Sequence, residues 1–89
     1  MRLVRYSGQF KKDYRRMEKG GGDIKKLRAV TEKLVNEEQL EAHYRDHSLQ
    51  GQFARARDCH LTPDWMLIYA IVHNELRLIR IDTHSDLFK

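Results

Sequence analysis

The sequence has 89 residues, which is enough for one small domain with a thin core, so we expect any active site to be a surface groove. Its 17 Lys and Arg residues outnumber its 13 Asp and Glu residues, and this excess, which lies in the first half, points weakly toward an anionic partner. The single cysteine excludes an intrachain disulfide, and no apolar run is long enough for a signal peptide or a membrane span, so we expect a cytoplasmic protein with no membrane contact.

The first half of the chain predicts one strand and two helices. Residues 1–6 are a short strand candidate, and Ser7 suits the N-cap of a helix over residues 8–19. Three consecutive glycines end this helix because they hold a helical turn poorly, and Asp23 then caps a second helix that runs to about residue 36. Each helix carries one apolar face, so we expect both to pack on the same side of a sheet.

The second half predicts three strands joined by tight turns. Residues 37–51 are acidic and polar, and we predict no regular structure there. The strands are predicted over residues 52–61, 65–72 and 76–84, followed by a short tail. This order of elements gives a single α+β domain over residues 1–89 with an antiparallel meander, in which the first strand pairs with the last strand or with the one before it.

Polar side chains recur on one face of two predicted strands. Alternation places Asp58 and His60 on one face of their strand, and it places Arg80, Asp82 and His84 on one face of the last strand. Because helices cover only one side of the sheet, we expect these side chains on the open side. Histidines exchange protons near neutral pH, and an arginine holds a phosphate with paired charged hydrogen bonds. The set suits cleavage of RNA, whose 2′-hydroxyl supplies the nucleophile without a metal.

Simpler explanations exist for these residues. Trp65 opens the most apolar strand and is more often a core residue than a platform for stacked bases. A lone histidine is more often a solvated side chain than a catalyst, and the basic run on the first helix is more often a solvated face than a binding site. Cys59 and His60 lack a second ligand pair at zinc spacing, so we expect no metal site and no cofactor. From the residues alone, RNA cleavage is one candidate among several.

Four stretches, spread over nearly the whole chain, closely resemble the YafQ branch of the RelE/ParE toxin superfamily. They read YSGQFKKD at residues 6–13, YRDHSLQG at 44–51, RDCHLTPDWMLIY at 57–69 and RIDTHSDLF at 80–88. The second half is the more specific, since D-H-x-L-x-G, R-D-x-H-x-x-P-D-W and T-H-x-x-L-F follow one another at spacing like that of the family. The glycine-rich link between the helices matches less well.

The resemblance implies a fold, an activity and partners. The fold would be a RelE-like, microbial-ribonuclease type, with two N-terminal helices packed on a curved, mainly antiparallel, four-stranded sheet. The activity would be that of a type II toxin, a metal-independent endoribonuclease that cleaves messenger RNA on the ribosome. A DinJ-like, ribbon-helix-helix antitoxin would neutralise it, and operator DNA would be contacted only through that complex. The basic first helix and the thin core fit such a partner, whose acidic segment would wrap the toxin.

The resemblance also assigns site residues. The catalytic positions map onto His47, His60, Asp64 and His84, and the supporting or substrate-contacting positions map onto Asp58, Trp65, Arg80 and Phe88. We expect His84 to act as general acid, His47 or Asp64 as base, His60 to orient or contact the phosphate, and Arg80 to hold the developing negative charge.

Two other functions compete with this hypothesis. The first is a toxin of the same fold that cleaves nothing and inhibits by binding a ribosomal or gyrase surface. The second is an RNA-binding regulator without toxicity, which fits the charge but leaves the histidines unexplained. Cleavage through the 2′-oxygen would leave a 2′,3′-cyclic phosphate and a 5′-hydroxyl end. These products would distinguish the endoribonuclease from both competing functions.

Overall fold

The chain forms a sheet with two long helices, in a computed structural model that describes residues 1–51 and 55–87. In chain order the elements are β1 (Leu3–Tyr6), α1 (Gly8–Lys19), α2 (Ile24–Val35), a 3₁₀ turn (Ala42–Tyr44), β2 (His47–Ser48), β3 (Arg57–His60), β4 (Trp65–Val72), β5 (Glu75–Thr83) and α3 (His84–Leu87). None of the helices in the described part of the chain is long and apolar enough to cross a membrane.

Over residues 1–51 and 55–87 the sheet has five strands, in the order β1-β5-β4-β3-β2. The pairing of β1 with β5 is parallel, and the other three pairings are antiparallel. The α+β class, the antiparallel meander and the pairing of the first strand with the last are therefore confirmed. The expected count of four strands is wrong, because His47 and Ser48 form a two-residue strand within the segment predicted to be irregular. Two residues are too few to show a period in the sequence.

Both long helices begin where their caps were predicted. The Ser7 hydroxyl accepts a hydrogen bond from the amide of Phe10 at 2.9 Å, and the Asp23 carboxylate accepts one from the amide of Lys26 at 3.1 Å. Each side chain satisfies an amide that has no partner inside its own helix. The helix ends at Lys19 and Val35 also agree with the prediction.

Two strand boundaries differ from the prediction. The first of the three C-terminal strands was predicted over residues 52–61, of which residues 52–54 lie outside the described part of the chain; within that part the strand begins at Arg57, after Arg55, whose left-handed backbone, with φ at 73°, interrupts an extended chain. The last strand ends at Thr83, and His84 begins α3 instead of closing the strand. Thr83 caps this short helix, since its hydroxyl accepts from the amide of Asp86 and donates to the Asp86 carboxylate.

The two faces of the sheet are covered unequally. The helices bury the larger cluster, which contains Phe10, Met17, Leu27, Val30 and Leu34 together with Cys59, Leu67, Tyr69, Leu76, Leu78 and Ile81 from the strands. The opposite face carries only a small cluster, formed by Ala56, Met66, Ile68 and Leu87. Cys59 is fully buried on the helix side, and this burial raises the pKa of its thiol. The thinly covered face is the one available for a site.

The outer edge of β5 changes partner halfway along the strand. Its first half pairs with β1 up to Leu78, and its second half lies against the start of α1. There Ser7 donates to the carbonyl of Ile79 at 2.7 Å, and the Asp13 carboxylate accepts from the amide of Ile81 at 3.0 Å. A bulge in the pairing with β4 lies at the same level, where the register shifts between Ile68 and Tyr69. These contacts bring α1 next to Arg80.

Candidate active site

A buried carboxylate, Asp58, lies at the centre of the candidate site. Asp58 is 1% exposed, and neither of its carboxylate oxygens has a hydrogen-bond partner among the residues that the structure describes. Register places it opposite His47 of β2 on one side and Ile68 of β4 on the other. Burial of a carboxylate without hydrogen-bond partners lowers the stability of the fold, so we expect Asp58 to have a functional reason for its position.

His47 is the basic group nearest to this carboxylate. Its Nε2 atom lies 3.5 Å from Oδ2 of Asp58, and the side chain is 52% exposed. Its Nδ1 atom lies 2.6 Å from the carbonyl oxygen of Arg45, to which a protonated Nδ1 donates. The carbonyl therefore fixes the ring orientation and leaves Nε2 as the atom that exchanges protons.

Three histidines act on the Asp58 carboxyl. Burial raises the pKa of Asp58, and His47, His60 and His84 lower it when they are charged, with burial the larger effect. Each histidine is therefore close enough to interact with the same buried group. The sequence predicted this for His60 and Asp58 from strand alternation, and the resemblance supplied His47.

The same face of the sheet continues from β3 across β4 to β5. Asp58, Ile68 and Arg80 form one cross-strand row, and His60, Met66 and Asp82 form the next. Cross-strand neighbours share a face and lie about 5 Å apart, so these rows place the candidate residues together. His84 joins them from α3, with its Nδ1 atom 3.3 Å from the sulfur of Met66.

The remaining predicted residues have different positions. Asp64 is exposed in the turn before β4, and its carbonyl accepts from the amide of His84 at 3.2 Å. Trp65 is half-buried and packs against the helix-side cluster, on the opposite face from Met66. Phe88 lies outside the described residues. The structure thus brings His47, Asp58, His60 and His84 together, and it places Arg80 on the same face of the sheet, two strands from Asp58. Asp64 lies at the edge of this group, and Trp65 lies on the other side of the sheet.

Arg80 is held by two carboxylates. Its Nε atom donates to Asp13 at 2.9 Å, and its Nη2 atom donates to Asp82 at 3.0 Å. Arg16 of α1 donates to both carboxylates, at 3.1 Å to Asp13 and 2.7 Å to Asp82. The two positive charges of the guanidinium groups therefore match the two negative charges of the carboxylates. The hydrogen bonds along one edge of the Arg80 guanidinium fix its orientation.

The sequence predicts a role for Arg80 but for no other member of this network. Strand alternation puts Asp82 on the same face without naming its partner, and Asp13 and Arg16 lie on a helix that is distinguished in the sequence only by its basic residues. One signal was present, because Asp13 is the only acidic residue among the first ten of α1. Its contact with Arg80 spans 67 residues of sequence, which no local pattern reveals.

The described residues contain no group of three or more His, Cys, Asp or Glu side chains arranged to hold a metal ion.

Comparison with known proteins decides the family. A family model described as "Bacterial toxin of type II toxin-antitoxin system, YafQ" matches residues 2–89. The chain belongs to the YafQ toxin family. The mRNA interferase toxin YafQ of Escherichia coli strain K12 is 42% identical to it over 88 residues, which cover 98% of this chain and 96% of the relative.

Solved structures agree with the YafQ assignment. The crystal structure of the E. coli DinJ-YafQ complex matches with a TM-score of 0.92 at 41% identity, and it covers 100% of both chains. The crystal structure of a copper-bound mutant toxin from Helicobacter pylori matches with a TM-score of 0.93 at 34% identity, and it covers 99% of this chain and 100% of that one. The α+β fold described above is therefore that of solved YafQ structures.

Proposed function

We propose that this YafQ family member is the toxin of a type II toxin-antitoxin module and an endoribonuclease that cleaves translated messenger RNA on the ribosome, in the cytoplasm. The E. coli relative carries the name mRNA interferase. The observation that carries the proposal is the sheet face left open by the helices, on which the buried Asp58 lies among three histidines. That face combines groups that accept and donate protons with an oriented cation, Arg80.

The proposed reaction is an attack of the RNA 2′-hydroxyl on the adjacent phosphate. A base must remove the 2′ proton on one side of the phosphate, and an acid must protonate the leaving 5′-oxygen on the other. His47 and His84 come from opposite sides of the sheet face, β2 and the end of β5, and the geometry favours His47 as base over Asp64. The ring of His47 is fixed at Nδ1, whereas Asp64 lies beside His84, on the acid's side.

Arg80 supplies the charge for the phosphate. Its Nε and Nη2 atoms are held by Asp13 and Asp82, and its Nη1 atom forms no hydrogen bond with any residue in the described ranges. A guanidinium held along one edge presents its other edge without loss of side-chain freedom on binding. Arg80 therefore stabilises the charge that develops on the phosphate, and His60, half-buried on β3, contacts or orients the same group.

A DinJ-like, ribbon-helix-helix antitoxin is the proposed partner, and the toxin would reach operator DNA only through that complex. The E. coli YafQ protein is found with DinJ in crystal structures. On this chain, Lys11, Lys12 and Arg15 of α1 are exposed and form no ion pair with another described residue. Such a surface favours an acidic segment that orders on binding.

The test compares two histidines changed in the same way. We expect His84→Asn to lower the rate of message cleavage roughly a hundred- to ten-thousandfold, because asparagine cannot transfer a proton. His73→Asn is the control, since His73 is exposed in the β4–β5 turn and its left-handed backbone suits asparagine. Primer extension on translated messages measures both. Equal cleavage by the two variants would remove His84 from the mechanism.

Analysis of the new RNA ends identifies the chemistry. We expect a 2′,3′-cyclic phosphate and a 5′-hydroxyl, and slow cutting of free RNA at high enzyme concentration that EDTA does not change. A 5′-phosphate together with loss of the slow reaction in EDTA would show a metal-activated water instead. Growth arrest without any new RNA ends would favour a toxin that acts by binding alone, at a ribosomal or gyrase surface.

A further inference from the structure

A small cationic cavity opens beside the candidate active site. It has a volume of about 360 Å³ and is lined by Lys26 of α2, His43 of the 3₁₀ turn, Arg45, His60 of β3 and residues 61–63. We propose that this cavity, which we call the flanking pocket, binds the nucleotide next to the scissile phosphate in the RNA substrate. The inference rests on the proposed endoribonuclease function and adds a second contact for the RNA strand.

The charge of the flanking pocket points to an anion. No acidic residue lines it, and neither Lys26 nor Arg45 forms an ion pair with a residue that the structure describes. Arg57, by contrast, is paired with Asp46. Cations that converge without counter-charges repel one another, and a phosphate between them removes that repulsion.

Its position connects the pocket to the reacting groups. His60 lines both the pocket and the open face of the sheet, and the carbonyl of Arg45 holds the ring of His47. Arg80 and His84 lie on the other side, beyond β4. An RNA strand that crosses the sheet strands from β5 toward β3 therefore passes Arg80, then the histidines, and then enters the pocket.

The size and lining suit one nucleotide. The volume lies at the lower end of the range for small-ligand pockets. Leu61 and Pro63 provide apolar surface for a ribose or a base, and the cationic side chains reach its phosphate. Single-stranded RNA has unstacked bases that enter such a recess, so the proposed occupant is one nucleotide of the substrate strand.

The experiment measures how affinity depends on RNA length. The probes are oligonucleotides of two to four nucleotides with a 2′-O-methyl group at the cleavage position, which removes the nucleophile. We expect one added nucleotide on the pocket side to strengthen binding to the wild-type toxin roughly tenfold, through charged hydrogen bonds. Lys26→Gln and Arg45→Gln should each lose most of this gain in affinity. Each should also reduce the slope of log affinity against log salt concentration by about one unit, which corresponds to the loss of one phosphate contact.

Two further variants control for charge and folding. Lys25→Gln removes the same charge from the adjacent exposed position of α2, outside the pocket, and should keep the wild-type length dependence. Arg45→Lys retains the charge and should restore binding toward wild type. If Lys26→Gln and Arg45→Gln keep the wild-type length and salt dependence, the pocket does not bind the substrate. That result would leave message cleavage intact, whereas failure of the wild-type toxin to cut RNA would overturn the proposed function itself.

Discussion

The buried carboxyl of Asp58 is the most unusual single residue in the molecule. Its oxygens find no hydrogen-bond partner in the described part of the chain, and burial raises its pKa. The surrounding histidines offset this when they are charged. The residue therefore links the charge of the site to the stability of the fold.

Replacement of Asp58 by asparagine should change stability in a pH-dependent way. Since the folded-state pKa lies above the unfolded value, wild-type stability is highest when the carboxyl is protonated and is lost as pH rises through the folded-state pKa. The free energy of unfolding of Asp58→Asn, relative to wild type, should therefore increase as pH rises from the ordinary Asp pKa of 3.8 through the higher folded-state pKa. Urea denaturation at a series of pH values measures it. Asp64→Asn, at an exposed position, should show no such trend, and a flat difference for Asp58→Asn would contradict the prediction.

Asp13 should be essential to stability although it lies on a basic helix. It is fully buried and accepts hydrogen bonds from Gln9, Arg16, Arg80 and the amide of Ile81. Its replacement by alanine leaves the amide of Ile81 without an acceptor and leaves Arg16 and Arg80 with only Asp82, and it should lower the free energy of unfolding by roughly 3–5 kcal/mol.

Glu18→Ala is the control for Asp13→Ala, because Glu18 is an exposed carboxylate on the same helix. We expect it to change the free energy of unfolding by less than about 0.5 kcal/mol. Denaturant melts of the two variants compare them directly. A loss of similar size in both would mean that the Asp13 network contributes little.

Among the elements, the link between α1 and α2 depends on one close contact. A Cβ atom on Gly22 would lie 2.2 Å from Cγ of Met17, and Met17 is fully buried, so its side chain cannot move aside. Gly22→Ala should therefore lower the free energy of unfolding by roughly 1–3 kcal/mol. Gly8→Ala is the matched control, since nothing lies within 4 Å of a Cβ there, and it should be neutral or stabilising by up to about 1 kcal/mol. Thermal denaturation tests the pair, and equal melting temperatures would contradict this prediction.

The elements that the sequence predicted well are those with local signals. The caps Ser7 and Asp23, the apolar helix faces and the apolar run of β4 each lie within one segment, and all three are found in the structure. The two-residue strand β2 has no such signal, because it exists only through pairing with β3. The last strand ends one residue earlier than predicted because Thr83 caps α3 through two hydrogen bonds with Asp86, and a helix of four residues is too short to show a period in the sequence.

The same distinction applies to the candidate site. Alternation placed Asp58, His60 and Arg80 on one face, and the sheet register agrees. The position of Trp65 at the start of the most apolar strand favoured a core residue, and Trp65 does pack against the helix-side cluster, whereas its substrate-contacting role was implied only by the resemblance. Strand alternation does not predict that Asp13 binds Arg80, because Asp13 belongs to α1, which lies against the edge of β5.

On the scale of the whole molecule, two surfaces lie apart. Lys11 and Arg15 of α1 lie on the side of the helices, and the candidate site lies on the opposite face of the sheet. A groove of about 830 Å³ between α1, α2 and β1 has an apolar floor that includes Tyr6 and Phe10. The two functions proposed for this chain, RNA cleavage and antitoxin binding, therefore use distinct sets of residues.

Charge on α1 should control how fast the antitoxin binds. Removal of two cations by Lys12→Gln with Arg15→Gln should slow association roughly tenfold at low ionic strength, because long-range attraction to an acidic partner is lost. Arg55→Gln with Arg77→Gln removes the same charge from exposed positions elsewhere and should have a smaller effect. Stopped-flow mixing at two salt concentrations measures the rates, and the difference should vanish at high salt. Equal slowing by both pairs would show that only net charge matters.

The enclosed position of Cys59 makes its thiol a natural probe of how often the helices separate from the sheet. It is the only thiol in the chain, and it is sealed between the sheet and the two long helices. A thiol reagent in solution can reach it only after the helices lift away from the sheet, and burial keeps the thiol protonated until then. The labelling rate of the unmodified toxin therefore reports how often this layer opens, with and without antitoxin, and no probe needs to be engineered into the chain.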